Sequence, residues 1–251
     1  MKANKFIMSM ALVLMTACGS GSSDEYPVET FKVHKGKTLS VTMVNHGSLA
    51  MNYRDFEIQI DPVSVYGDKV LDYSVFAPAD LILITHEHGD HLNPETIEEI
   101  RTAETRILLN EASTRRFDGG EVVHNGDHIV INEHIAVDAV PAYNITPGHE
   151  KFHPVGNGNG YVLDFDGFKV YVAGDTEDIP ELGSLGEIDL AFLPVNQPYT
   201  MTVDQCVAAA LTIKPKVLVP YHLGETDMAQ IKERLDEAKS KIDVRLFESL
   251  R

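Results

Sequence analysis

The chain has 251 residues, 43% of them apolar and 24% charged, which suits one large globular domain or two small ones and excludes intrinsic disorder and a collagen-like repeat. Two cysteines rule out a disulfide framework, and no CxxC or Cys/His cluster of zinc-finger type is present. The 38 acidic and 21 basic residues leave a formal charge of −17, which repels phosphate backbones and anionic headgroups and argues against nucleic-acid binding.

Residues 1–17 have the form of an export signal. Lys2 and Lys5 make a basic start, residues 6–17 are an apolar run too short to span a bilayer, and the run stops at Thr16-Ala17-Cys18-Gly19. Small residues before a cysteine resemble a bacterial lipoprotein signal. That resemblance implies cleavage before Cys18, lipidation of Cys18, and an exported chain anchored to a cell-envelope membrane, facing the periplasm or the exterior. An ordinary secretory signal with an incidental Cys18 is the other reading. Residues 18–26 then form a small, polar tether, and residues 27–251 form a single domain. Cys206 would be left as the free thiol, in a run that reads as a buried helix, where a packed thiol is expected rather than a nucleophile.

Along that domain, strands are predicted at 38–44, 49–53 and 56–60, with Asp61-Pro62 ending the third. Residues 81–85 are a continuous apolar strand of the fully buried kind, followed by a helix over 94–101 with Pro94 near its start. Further strands are expected at 106–109, 128–130, 135–140, 160–165 and 168–173, the last pair joined by the two-residue turn Asp166-Gly167. Strands at 190–193 and 217–219, helices at 203–213 and 227–239, and a final strand at 244–247 complete the series. The order points to an α/β domain of two sheets with helices outside.

The chemistry concentrates at Thr85-His86-Glu87-His88-Gly89-Asp90-His91, directly after the buried strand. Imidazoles and a carboxylate crowded at a strand end need partners once they are desolvated, and a divalent cation supplies one. On such a turn His86 and His88 can face one side and Asp90 and His91 the other, so one loop can feed two ions. Catalytic zinc takes three protein ligands and keeps a position open, so further ligands must come from downstream strand ends. His153, Asp175 and His222 stand at such positions, in Phe152-His153-Pro154, Gly174-Asp175-Thr176 and Pro220-Tyr221-His222.

This HxHxDH run, followed in order by a His, an Asp and a His, resembles the metallo-β-lactamase fold superfamily over nearly all of residues 27–251. Within it the chain is similar to the L-ascorbate-6-phosphate lactonase-like branch and, more loosely, to N-acylphosphatidylethanolamine phospholipase D. The resemblance implies a four-layer αββα sandwich. It also implies a first metal on His86, His88 and His153, a second on Asp90, His91 and His222, and Asp175 bridging both. His149, four residues before His153, is an alternative ligand. Asp61 is the candidate for orienting a ligand imidazole through its free ring nitrogen. Several true β-lactamases carry Cys where Asp175 stands, so antibiotic hydrolysis is disfavoured.

The implied activity is metal-dependent hydrolysis of an ester-like bond (lactone, carboxylic ester or phosphodiester) in a small anionic or lipid-derived substrate, with a hydroxide between two divalent ions as nucleophile. Asp90, His91 and Asp175 would stand closest to the reaction, and Asp90 can orient the water or pass a proton. Zinc suits the nitrogen and oxygen donors, and manganese or iron is compatible with them. His46, Tyr143, Asn144 and Tyr199 are candidate substrate contacts, Tyr143 and Asn144 as donors to a developing oxyanion. The competing readings are a nuclease of the same fold, for which the chain lacks the basic surface, and an envelope lipoprotein that holds metal without turnover.

Overall fold

The computed structural model describes residues 26–33 and 36–251. The expected leader, Cys18 and the tether up to residue 25 lie outside the described residues.

Two seven-stranded sheets form the centre of the fold. The first is built from β1 (Val28–Lys32), β2 (Thr38–Asn45), β3 (Ser48–Tyr53) and β4 (Phe56–Ile60). After a small separate hairpin, β5 (Val65–Tyr66) and β6 (Lys69–Val70), the sheet continues with β7 (Ala79–Leu83), β8 (Arg101–Leu109) and β9 (Glu121–Val122). The second sheet holds β10 (His128–Val130), β11 (Ile135–Ala142), β12 (Gly158–Phe165), β13 (Phe168–Val172), β14 (Leu190–Pro194), β15 (Val217–Tyr221) and β16 (Asp243–Val244). Neighbours follow chain order in both sheets, with β4 next to β7 in the first. Each sheet starts antiparallel and turns parallel, from β4 to β9 in one and from β13 to β16 in the other.

Period-two patterning explains the layering. Leu39, Val41 and Met43 of β2 point inward, and with Val137 of β11 and Leu163 of β12 they fill the core between the sheets. The parallel strands are apolar on both faces because helices cover their outer sides. Ile82 and Ile107 pack under α1 (Pro94–Ile100), which Asn93 caps by accepting from Thr96 N–H. Ala191, Leu193 and Leu218 pack under α2 (Val203–Ile213) and α3 (Ala229–Glu237). Three apolar cores thus separate four layers, helix, sheet, sheet and helix. The buried Cys206 sits inside α2, as its apolar run predicted.

The elements depart from expectation at the margins. β1, β5, β6 and β9 are short or exposed segments with little apolar alternation, and they pair because a neighbouring edge is available. The final strand covers only Asp243–Val244, and the chain then forms a single turn at Glu248–Leu250 that carries Leu250 into the central core.

Candidate metal centre

Carboxyl ends of parallel strands are where open α/β sheets place their ligands, and the polar residues converge there. Asp61 follows β4, Thr85 to His91 follow β7, Asp175 follows β13 and His222 follows β15. His46 sits in the tight turn between β2 and β3, and His153 lies in the long connection from β11 to β12. Asp61, His46 and His222 adopt left-handed backbone conformations with φ of 46°, 49° and 51°, which turn these side chains out of their strand direction. Two glycines allow the close approach. A Cβ on Gly47 would stand 2.7 Å from His91 Cε1, and one on Gly174 (φ 64°) would stand 2.8 Å from the Asn159 carbonyl oxygen.

Three groups of side chains bring ligand atoms within 4.8 Å of one another: His86, His88 and His153; His86, His91 and Asp175; and His46, Asp90, His91 and His222. Around Asp175, the Nε2 atoms of His153, His222 and His91 stand 3.2, 3.3 and 3.4 Å from a carboxylate oxygen. His222 and His46 Nε2 stand 3.5 and 3.4 Å from Asp90 Oδ2. Donors held about 2.0–2.1 Å from a tetrahedral zinc lie roughly 3.3–3.4 Å apart, so the spacing fits a shared cation. The Nε2 atoms of His86, His91, His153 and His222, with Asp175 Oδ1, are buried and have no hydrogen-bond partner. Orphaned buried donors and acceptors are costly, and a divalent ion satisfies them together.

The opposite ring nitrogens of His86, His91 and His153 are accounted for, while Nδ1 of His222 and of His46 is buried without a hydrogen-bond partner. Asp61, fully buried, accepts from Thr85 N–H (2.7 Å) and Thr85 Oγ1–H (2.6 Å), and His91 Nδ1 donates to it at 2.7 Å. Because the Thr85 hydroxyl proton goes to Asp61, its oxygen receives His86 Nδ1–H at 3.0 Å. His153 Nδ1 donates to the Tyr199 carbonyl at 3.0 Å. Each bond puts the ring proton on Nδ1 and leaves Nε2 free to coordinate, so one carboxylate sets the tautomers of two imidazoles.

Charge supports the same reading. Burial pulls His86 and His88 down, helped by His91 and His153 respectively, so both rings stay neutral at physiological pH. Burial likewise lowers His46, to about 4, with His222 beside it. Burial would raise Asp175 and Asp90, but the surrounding imidazoles outweigh it and keep both carboxyls below the usual range. Burial also lowers His91, yet Asp175 and Asp61 overcome that and push it up to about 10. Without a metal, His91 is therefore the cation at the centre. A metal ion would replace its proton.

The fold brings His86, His88, Asp90, His91, His153, Asp175 and His222 to one cluster, with Asp61 behind His91 and Thr85. His149 points elsewhere: its Nδ1 meets the buried Glu177 at 3.1 Å, and Glu177 also accepts from Ile145 and Thr146 N–H to pin that loop. His46 and Tyr199 border the cavity over the cluster. Tyr143 and Asn144 do not border it. Tyr143 donates outward to Glu181, and Asn144 Nδ2 donates to the His149 and Tyr199 carbonyls, holding loops together. The alternation of β11 ends at Ala142, so position in sequence alone did not tell which way these two side chains turn. Tyr66 and Phe152 border the cavity without having been singled out in the sequence. Tyr66 lies in a two-residue strand that carries no periodic signal.

A profile of the beta-lactamase superfamily domain matches residues 40–222. The chain belongs to this superfamily. Among its relatives is a UPF0173 metal-dependent hydrolase of Methanopyrus kandleri, 30% identical over 225 residues that cover 84% of this chain and 97% of the relative. A crystal structure from Parabacteroides distasonis, described as a metal-dependent hydrolase, superposes with a TM-score of 0.85 at 49% identity and covers 89% of this chain and 99% of that one. Igni18, a metallo hydrolase from Ignicoccus hospitalis, shares the superfamily fold with a TM-score of 0.67 at 23% identity, covering 85% and 96%. In this superfamily member the matched span runs from β2 to His222 and so includes every residue of the cluster.

Proposed function

We propose that the protein is a metal-dependent hydrolase whose centre holds two divalent ions and cleaves an ester-like bond, a lactone, carboxylic ester or phosphodiester. The observation that carries this reading is the convergence of four unpartnered imidazole nitrogens and a carboxylate oxygen, all buried, at the strand ends. His86, His88 and His153 would hold one ion and Asp90, His91 and His222 the other, with Asp175 between them. Such ions make water nucleophilic near neutral pH and polarise the electrophile. Zinc fits the donor set best, and manganese or iron is compatible with it. Asp61 and Thr85 keep His86 and His91 in the ligating tautomer. Asp90, the half-exposed carboxylate of the set, would be a metal ligand first and would also orient the attacking water or pass a proton.

The export reading belongs to the same proposal: a chain lipidated on Cys18 would hold this centre at a cell-envelope membrane, facing the periplasm or the exterior. The test is elemental analysis of the purified full-length protein, then assay on bis(p-nitrophenyl) phosphate, lactones and carboxylic esters before and after chelation. About two ions per chain and chelator-sensitive turnover are expected. Asp175→Ala should lower both metal content and turnover, and full loading with unchanged turnover in that variant would remove the assigned bridge. A Cys18→Ser chain that is still processed and membrane-bound would refute lipidation.

A further inference from the structure

Above the cluster, the cavity of about 270 Å³ is walled by aromatic rings. Tyr66 of the β5–β6 hairpin stacks on His46 with ring centroids 4.3 Å apart, its hydroxyl 3.3 Å from His46 Nε2. Next to His153, whose Nδ1 donates to the Tyr199 carbonyl, Phe152 and Tyr199 meet edge to face at 5.0 Å. Asn196 is the remaining wall residue outside the cluster and His46. Among the described residues, no Lys or Arg borders this cavity. Two cations stand next to wall residues without lining the cavity: Lys69, paired opposite Tyr66, donates to Asn45 Oδ1 at 2.8 Å, and Lys151 lies 4.9 Å from the Phe152 ring centroid. The segments bearing the walls expose valines among their charged residues. Val65 and Val70, opposite each other on the hairpin, are 57% and 82% exposed, and Val155, two residues beyond His153, is 71% exposed.

We infer that the site takes an uncharged ester or lactone whose flat apolar group lies against Tyr66 and the Phe152–Tyr199 pair, in preference to a phosphate ester. The inference rests on the hydrolytic reading above. A phosphate ester brings one or two negative charges whose oxygens call for Arg, Lys or fixed N–H donors beyond the metals, and the walls offer no cationic side chain. The formal charge of −17 also opposes the approach of anions. Aromatic walls, by contrast, favour flat apolar groups, and the cavity lies at the small end of ligand pockets, which fits a compact substrate. In the reaction, a water oxygen bonds to the acyl carbon, the acyl C–O bond breaks, and the departing oxygen takes a proton. One water is consumed, and an acid and an alcohol are formed, joined as one hydroxy acid when the substrate is a lactone.

Two measurements on the full-length protein test this. Dihydrocoumarin and phenyl acetate should be hydrolysed by the metal-loaded protein with kcat/KM at least a hundredfold above phenyl phosphate and bis(p-nitrophenyl) phosphate, with little dependence on salt. The metal-free protein should bind the unreactive lactam 3,4-dihydroquinolin-2-one, followed by NMR titration, and not phenyl phosphate. Tyr66→Ala and Tyr199→Ala should each weaken lactam binding and phenyl acetate kcat/KM roughly 2- to 10-fold at unchanged metal content, and Tyr66→Phe should restore the stacking contribution. Faster hydrolysis of either phosphate ester, or lactam binding indifferent to both alanine variants, overturns the inference while leaving the hydrolase intact. Lactam binding as described, with no turnover of any ester by fully loaded protein, supports the substrate class and overturns the hydrolytic reading instead.

Discussion

Asp61 offers the most direct test of how the centre is organised, through the substitution Asp61→Asn. The carboxylate receives three donors, Thr85 N–H, Thr85 Oγ1–H and His91 Nδ1–H, in a fully buried position. Alanine would strand all three at about 1–3 kcal/mol each, a loss of the order of the whole stability of a domain, so a failure to fold would obscure the answer. Asparagine keeps the volume and one acceptor but sets an N–H₂ group against the remaining donors. The hydroxyl of Thr85 can rotate to relieve part of this. His91 can relieve the rest only by moving its proton to Nε2, the atom that should bind metal. Loss of an outer partner of this kind costs about 10- to 100-fold in metal affinity, equivalent to about 1.4–2.7 kcal/mol. The mispaired buried groups should also lower thermal stability by about 1–3 kcal/mol, or about 2–12 °C in Tm at this chain length. Competition with a fluorescent zinc chelator gives the dissociation constant, and heat unfolding of the metal-free form gives the stability change separately. A zinc affinity within twofold of the parent protein would refute the proposed tautomer control, whatever happens to Tm.

Other consequences are checked as simply. His153→Ala should remove at least half an ion per chain by elemental analysis, whereas His149→Ala should keep the full complement, because His149 is held by Glu177 outside the cluster; the opposite pattern would reassign the ligand. Gly47→Ala, whose new Cβ would meet His91 at 2.7 Å, should cost about 1–3 kcal/mol and weaken metal binding, read by chelator competition beside a heat unfolding curve. Burial raises the Cys206 thiol from 9.0 to about 12, which leaves roughly a thousandfold less thiolate at pH 8 than a free cysteine has. In a Cys18→Ser chain, then, a disulfide reagent should label Cys206 only after denaturation. The native state holds this proton more tightly than the unfolded chain, so stability from this group is intact below about pH 9 and declines by up to about 1.4 kcal/mol per pH unit as pH rises toward 12. Cys206→Ala should flatten that alkaline slope in urea titrations, and an unchanged slope would contradict the assignment.

What the sequence determined by itself was the layer plan and the identity of most of the cluster. Apolar alternation marked the half-buried strands, continuous apolar runs marked β7, β14 and β15, and Pro94 marked the start of α1. His86 to His91 was conspicuous because polar residues of one kind crowd the end of a buried strand. Tertiary structure alone decided which distant groups share a centre. His91 and His222 meet because the loop after β7 and the end of β15, strands of two different sheets, reach the same place, and no local pattern encodes strand order or register. It also chose His153 over His149, through Glu177, and turned Tyr143 and Asn144 away from the cavity. It brought His46 and Tyr66 to the rim from a turn with φ of 49° and a hairpin only two residues deep on each side. Left-handed backbone at His46, Asp61 and His222 runs against local preference and is held by long-range packing, and for that reason it was invisible along the chain.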